Sequence, residues 1–254
     1  MADTDRDWRK WAETDPYYSV AAAPEYRRDR IDVDAFLYTG EAYIVQRLAM
    51  LERQLGPVAR SRALDFGCGV GRITLPMALL FDQVTGLDVA PAMLAEAEML
   101  KQRQDAPNAR FALSDDRLSA AEEAYDFVHS YIVFQHIPVA RGLPLIGRLL
   151  DRVAVGGVAS IHVALRRGDT PLRAAFYRAR TRIPGVQKLS HWLRGKRADE
   201  PMMQMNEYPA SAIFAMMHRR GFGQAVVDVE RHGRFLTMHI AARRIAATEQ
   251  EPQP

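Results

Sequence analysis

One cysteine, no long apolar run, no internal repeat and no large surplus of either charge: these shortages already exclude several kinds of protein. Cys68 alone cannot form an internal disulfide or a multi-cysteine metal centre, so no metal site is expected. No stretch reaches the roughly 18 consecutive apolar residues of a membrane-spanning helix. The opening run MADTDRDWRKW carries charges where a secretion signal requires an apolar segment, and the expectation is a cytoplasmic protein without a transmembrane segment. With 34 basic against 31 acidic residues, net charge is only +3, and that balance gives no reason to expect a nucleic-acid partner.

What is present is ample material for one large core: 254 residues, 48% of them apolar. From Ala63 onward short β-rich runs alternate with helical patterns: RALDFG, GRITLPMALLF, QVTGLDV, PAMLAEAEMLKQR, ARFALS, YDFVHSYIVF, LPLIGRLLDRVA and GVASIHVAL. Strand and helix in strict alternation predict a doubly wound α/β domain with a parallel sheet and helices on both faces. Pro91 and Pro138 mark helix starts at the first helical position. A further helix is expected over Ala210–Arg220, and Gly221–Arg243 reads as two strands about Gly233, a hairpin at the sheet edge.

The expected organisation is an N-terminal helical arm over residues 1–56, the main domain over 57–245 with a basic segment inserted at 166–208, and a polar disordered tail over 246–254. The arm holds Trp8, Trp11, Tyr17, Tyr18 and Tyr26, then a helix over Glu41–Leu55. Trp8 and Trp11, three apart, share a helix face. The arm is either ordinary core or a lid that excludes water from a ligand.

The most informative run is Leu64-Asp65-Phe66-Gly67-Cys68-Gly69-Val70-Gly71-Arg72, which ends a strand and opens a helix. Glycines at every second position let the backbone turn tightly and approach a ligand, and a helix N-terminus favours an anionic group there. A dinucleotide loop would place its third glycine where Arg72 stands, so the spacing argues against NAD. Asp88, 17 residues after Gly71, ends the second strand, where a carboxylate can accept two hydrogen bonds from a ribose diol or cap the helix that begins at Pro91. Ser114-Asp115-Asp116 closes the third strand, facing an adenine amine or forming a plain turn.

These runs, ALDFGCGVGR, VTGLDVAPAMLAEAE and YDFVHSYIVFQHIP, resemble the successive motifs of class I S-adenosylmethionine-dependent methyltransferases over roughly residues 60–165. The resemblance implies a Rossmann-like seven-stranded sheet of order 3-2-1-4-5-7-6 with strand 7 antiparallel, in agreement with the hairpin. It implies S-adenosyl-L-methionine as cofactor and S-adenosyl-L-homocysteine as product. Asp65 with Gly67, Gly69 and Gly71 would hold the methionine part, Asp88 the ribose, and Asp115 or Asp116 the adenine. Cys68, Arg72, Val89, Met93 and Tyr131 complete the expected cofactor set.

The methyl acceptor leaves a weaker signal. In-line placement supplies much of the rate of a methyl transfer, and a base is required only when the acceptor is protonated. His136, in Phe134-Gln135-His136-Ile137-Pro138 beyond the fourth strand, is either that base or a residue that shapes the loop; His129 and His162 read as packed residues. Tyr18, Gln135, His136, Met205, Glu207 and Tyr208 are the candidate acceptor contacts, with Met202, Met203 and Met205 forming an adaptable pocket or plain core. Between Arg166 and Arg197 ten basic residues face one acid, Asp169, and Leu172, Ala175, Phe176, Ala179 and Ile183 recur at helical spacing. That basic amphipathic lid is a solvated cap, a reader of an acidic substrate, or a membrane contact that delivers a lipid-like acceptor. An aromatic arm with an insert after the fifth strand resembles bacterial small-molecule and natural-product methyltransferases, so the expected activity is O-methylation of a small organic acceptor. The alternatives are a macromolecular (RNA or protein) methyltransferase and a non-catalytic cofactor-binding protein.

Overall fold

Strands buried on both faces must be covered on both sides, and the architecture follows from that need. The structure, a computed structural model, describes residues 4–21, 26–27, 30–121, 124–169 and 203–246. Among them the elements run α1 (Thr4–Thr14), α2 (Pro16–Ala21), α3 (Val33–Leu55), β1 (Arg62–Phe66), α4 (Thr74–Ala78), β2 (Gln83–Asp88), α5 (Pro91–Arg103), β3 (Ala109–Leu113), β4 (Tyr125–Ser130), a 3₁₀ turn (Phe134–His136), α6 (Val139–Asp151), β5 (Val153–Arg167), α7 (Ala210–Arg219), β6 (Phe222–His232) and β7 (Phe235–Arg244). The seven strands form one sheet of order β3-β2-β1-β4-β5-β7-β6. β1 to β5 pair in parallel, while β7 lies antiparallel between β5 and the edge strand β6. The expected fold class and the terminal hairpin are both present.

Helix boundaries follow their caps. The helix expected from Glu41 begins at Val33, because the Asp32 carboxylate accepts from the Asp34 and Ala35 N–H groups; it ends at Gly56, φ 82°. Pro91 is the first residue of α5 as expected. Pro138 is instead the cap of α6, since its ψ of 135° keeps it extended and the helix starts one residue later. One apolar layer, including Leu64, Val128, Ile146, Val163 and Ile240, packs between the sheet, α6 and α7. A second, including Ile44, Leu48, Phe127 and Ala241, packs the opposite face against α3 and α4. A third joins Tyr17 and Phe36 of the arm to Met93 and Leu100 of α5. The amphipathic run Leu172–Ile183, Met202 and the tail after Ala246 lie outside the described residues.

Candidate active site

The strand order reverses between β1 and β4, and a parallel sheet opens a crevice at the carboxyl ends of its strands at such a point. A cavity of about 120 Å³ lies there, lined by the loop after β1, the ends of β2 and β3, the segment after β4, and the arm.

The glycine loop forms its floor. Gly67, Gly69 and Gly71 all have positive φ (76°, 54° and 85°). At Gly67 a Cβ would lie 2.3 Å from Val133 Cγ2, and at Gly69 it would lie 2.7 Å from Val20 Cγ2. Both positions are closed to a side chain by conformation and by contact. The Gly67 and Cys68 N–H groups donate to the Leu87 carbonyl at 2.7 and 3.0 Å, tying the loop to β2. The helix after the loop has only five residues and starts at Thr74, so the loop's own turns, and not a long helix dipole, shape this end.

Each carboxylate in this half has a defined partner. Asp65 is buried, accepts from Thr74 Oγ1 at 2.6 Å, and is pushed up to about 6 by burial, which the Thr74 bond offsets in part. Asp88 accepts from the Gly69 N–H through Oδ2 and the Ala90 N–H through Oδ1, both at 2.9 Å, so it joins the loop to the start of α5; burial raises its pKa. Its cap and ligand readings are therefore compatible, because two backbone bonds aim a carboxylate that still lines the cavity. Asp115 is exposed, accepts from the Arg117 and Ser119 N–H groups, and is lowered by those bonds. Asp116 accepts from Arg141 Nε at 2.7 Å. Val89, Met93 and Cys68 also line the cavity, and burial raises the Cys68 thiol.

Arg72 and Tyr131 close the opposite end. Arg72 Nη1 donates to Thr39 Oγ1 at 3.4 Å, while its buried Nε has no partner and burial lowers the guanidinium. Tyr131 stacks on Tyr43 at 4.3 Å between centroids. Next to it Ile132 has φ 60°, a conformation that a β-branched residue rarely adopts and that is found mostly at functional sites.

His136 is buried, with its ring edge against Trp8 at 4.9 Å. Nδ1 lies 2.7 Å from the Gln204 carbonyl, which can only accept, so Nδ1 carries the proton and the neutral ring keeps its Nε2 lone pair. Burial pulls its pKa down to about 4, the Gln204 bond opposing. The other expected acceptor contacts scatter. Gln135 is buried, with Oε1 unpartnered and its carbonyl held by Asn206. Glu207 is exposed and accepts from the Arg167 N–H. Tyr208 is core, donating to the Ile137 carbonyl at 2.8 Å. Tyr18 packs against Trp11 and under Arg27, and its neighbours Ser19 and Val20 line the cavity in its place. Met205 is half-buried and is not among the lining residues.

Thr4, Asp5 and Arg141 line the cavity although no sequence signal marks them, and Trp8, in the arm expected as core or lid, lines it too. The cavity-facing side of a short polar helix carries no sequence mark of a ligand wall beyond the i, i+3 pairing of Trp8 and Trp11.

A second polar group lies behind Tyr131, between α3 and the sheet. Arg47 pairs with Asp228 and donates to Ser160 Oγ at 3.3 Å; His239 Nε2 lies 2.9 Å from the same hydroxyl. His129 and His162 are both buried, and burial pulls each down to about 3. His129 Nδ1 and both ring nitrogens of His162 have no partner. The packed reading of these two histidines agrees with that placement, although their hydrogen bonds are incomplete.

Comparison with known proteins agrees with this geometry. Residues 63–157 match the methyltransferase-domain family. Trans-aconitate 2-methyltransferase of Methylobacterium radiotolerans is 36% identical over 103 residues, 40% of this chain and 37% of that protein. Malonyl-[acyl-carrier protein] O-methyltransferase of Bacillus anthracis is 27% identical over 158 residues, 59% of this chain and 57% of that one. The chain thus spans between 37% and 57% of the length of these two curated relatives. Among solved structures, magnesium protoporphyrin IX methyltransferase of Synechocystis with bound S-adenosylhomocysteine superposes with TM-score 0.65 at 18% identity, over 95% of this chain and 100% of that chain.

Proposed function

We propose that this chain, whose residues 63–157 match the methyltransferase-domain family, transfers the methyl group of S-adenosylmethionine to a carboxylate oxygen of a small organic acid. The donor set fits that cofactor. An aimed carboxylate, Asp88, suits a ribose diol, and the apolar Leu87, Val89, Met93 and Leu145 suit a base. The buried, unpartnered Nε of Arg72 beside the glycine loop suits an α-carboxylate. The bound cofactor supplies a methyl group already activated on a sulfonium. The chain's own residues bind, orient and exclude water: the arm covers the cavity, and Asp65 holds Thr74 at the loop.

The observation that favours a carboxylate over a hydroxyl acceptor is His136. A neutral imidazole with its Nδ1 proton committed to Gln204 and a pKa of about 4 is too weak a base to strip a hydroxyl at neutral pH, yet it can place an acceptor. A carboxylate arrives already deprotonated and needs no stronger base. The names of the two relatives, methyltransferases of trans-aconitate and of malonyl-[acyl-carrier protein], support a carboxyl acceptor. The test is calorimetry with S-adenosylmethionine, S-adenosylhomocysteine and NAD, followed by transfer of labelled methyl to trans-aconitate and other di- and tricarboxylic acids. The expected result is binding of the first two ligands alone and formation of alkali-labile methyl esters. Absence of binding to S-adenosylhomocysteine would overturn the cofactor reading; transfer only to phenols or amines would overturn the carboxylate.

A further inference from the structure

One guanidinium joins three separated parts of the cavity wall. Arg141 stands in the first turn of α6. Its Nη1 and Nη2 donate to the two oxygens of Asp5 in α1 at 2.6 and 2.9 Å, and its Nε donates to Asp116, just beyond β3, at 2.7 Å. All three residues line the cavity, and the two carboxylates raise the pKa of Arg141. The bidentate Asp5 pair is the better protected, with side chains 32% and 26% exposed, whereas Asp116 is 53% exposed. Two planar groups joined by parallel N–H···O bonds fix orientation as well as distance.

Other ties of α1 are uncharged or longer. Trp8 packs on the His136 ring, Arg9 Nε reaches the Val89 carbonyl at 3.3 Å, and Thr4 Oγ1 accepts from Gln204 at 3.4 Å. The helix is polar, and of its residues Thr4, Trp11 and Ala12 are buried. Among these ties the Arg141–Asp5 pair is the charged and bidentate one, and it acts on the N-terminal turn of the helix.

We propose that Arg141 is a positioning residue: it holds α1 through Asp5 and the end of β3 through Asp116, so that the helix closes over the bound cofactor and slows its release. This rests on the cofactor reading above. Closure of this kind acts mainly on dissociation, because the bonds must break before the ligand leaves, whereas the open form admits it freely.

The test uses the full chain and S-adenosylhomocysteine, with dissociation followed by tryptophan fluorescence in a Trp192→Phe background, so that Trp8 and Trp11 report, and with hydrogen exchange of residues 4–14 measured alongside. Asp5→Asn is expected to raise the dissociation rate ~10-fold, as loss of a bidentate charged pair implies, with the association rate nearly unchanged. Asp116→Asn, which leaves the bidentate pair in place, is expected to change it less. Arg141→Lys, which keeps the charge but not the fork, is expected to fall between Arg141→Gln and the wild type and provides a second variant should Asp5→Asn fold poorly. Equal release rates for wild type, Asp5→Asn and Arg141→Gln would overturn the proposal. Were the wild type to bind no S-adenosylhomocysteine, the cofactor reading would fail; unchanged exchange of α1 in Asp5→Asn would separately overturn the Arg141 tie.

Discussion

The two halves of the cavity's surroundings satisfy their polar groups in opposite ways. On the side of β1, β2 and β3, Asp65, Asp88, Asp115 and Asp116 each have a partner from a nearby turn, a hydroxyl or Arg141. Around β4 and β5, and on α3 behind them, His129 Nδ1, both nitrogens of His162, Arg47 Nη2 and Gln135 Oε1 are buried with none. On the glycine-loop side the carboxylates are held by backbone turns before a ligand arrives, and the unpartnered Arg72 Nε is the open donor there. A buried side-chain cluster with open valences is costly, since each unpaired polar group costs about 1–3 kcal/mol.

The largest expected consequence of this contrast is acid lability. Unfolded histidines protonate near 6.5, whereas folded His129 and His162 do so only near 3 and His136 near 4; His239 is also lowered by burial. Below 6.5 the unfolded chain therefore binds more protons, and stability is lost as pH falls, by about 1.4 kcal/mol per pH unit for each such group. Asp65 opposes this: its folded pKa of about 6 exceeds the unfolded 3.8, so its stabilising effect is present below 3.8 and is lost as pH rises through 6. Asp88, also raised by burial, acts in the same direction as Asp65, and the several histidines outweigh these two aspartates. Urea denaturation between pH 7 and 5 should show a steep loss, and a flat profile would break the contrast.

On the other side, Asp88→Ala removes an aimed carboxylate, and loss of two hydrogen bonds to a charged group at about 1.5–3 kcal/mol each predicts a drop in S-adenosylhomocysteine affinity of roughly 100-fold or more. Calorimetry giving wild-type affinity would show that the ribose sits elsewhere. Gly67→Ala places a methyl 2.3 Å from Val133 Cγ2 at a positive φ, and a loss of about 2–3 kcal/mol in stability is expected. Addition of Val133→Ala should recover the steric part only; full recovery in denaturation would show that φ strain plays no role. The smallest effect is expected at His162→Leu. Replacing two unpaired nitrogens by an apolar group should leave stability within about 1 kcal/mol, or raise it. A loss of several kcal/mol would mean that His162 has a partner after all.

The glycine spacing, Asp65, Asp88 and the position of Pro91 were legible because local turns demand those residue types in fixed order. Strand order is legible only through resemblance, and the helix from Val33 extends beyond the expected start at Glu41 because Thr39 and Gly40, poor helix formers, mask the continuity of a buried face that already includes Phe36 and Leu37; Gly40 is kept by packing, since a Cβ there would lie 1.9 Å from the Arg72 carbonyl oxygen. Glu207 and Tyr208 were read as acceptor contacts from proximity in sequence. Tyr208 is buried because Gly142 leaves space for its ring, where a Cβ would lie 1.7 Å from the hydroxyl oxygen, and Glu207 faces solvent beside Arg167.

By itself, then, the sequence determined the alternation of strands and helices, the loop after β1 and the carboxylate at the end of β2, because each depends on neighbours within a few residues. The tertiary structure alone decided that α1 forms a wall of the cavity, that Arg141 joins residues 5 and 116, and that His129, His162 and His239 gather behind Tyr131. Those contacts unite residues from 25 to 136 positions apart, and no local pattern encodes which distant side chain a guanidinium or an imidazole will meet.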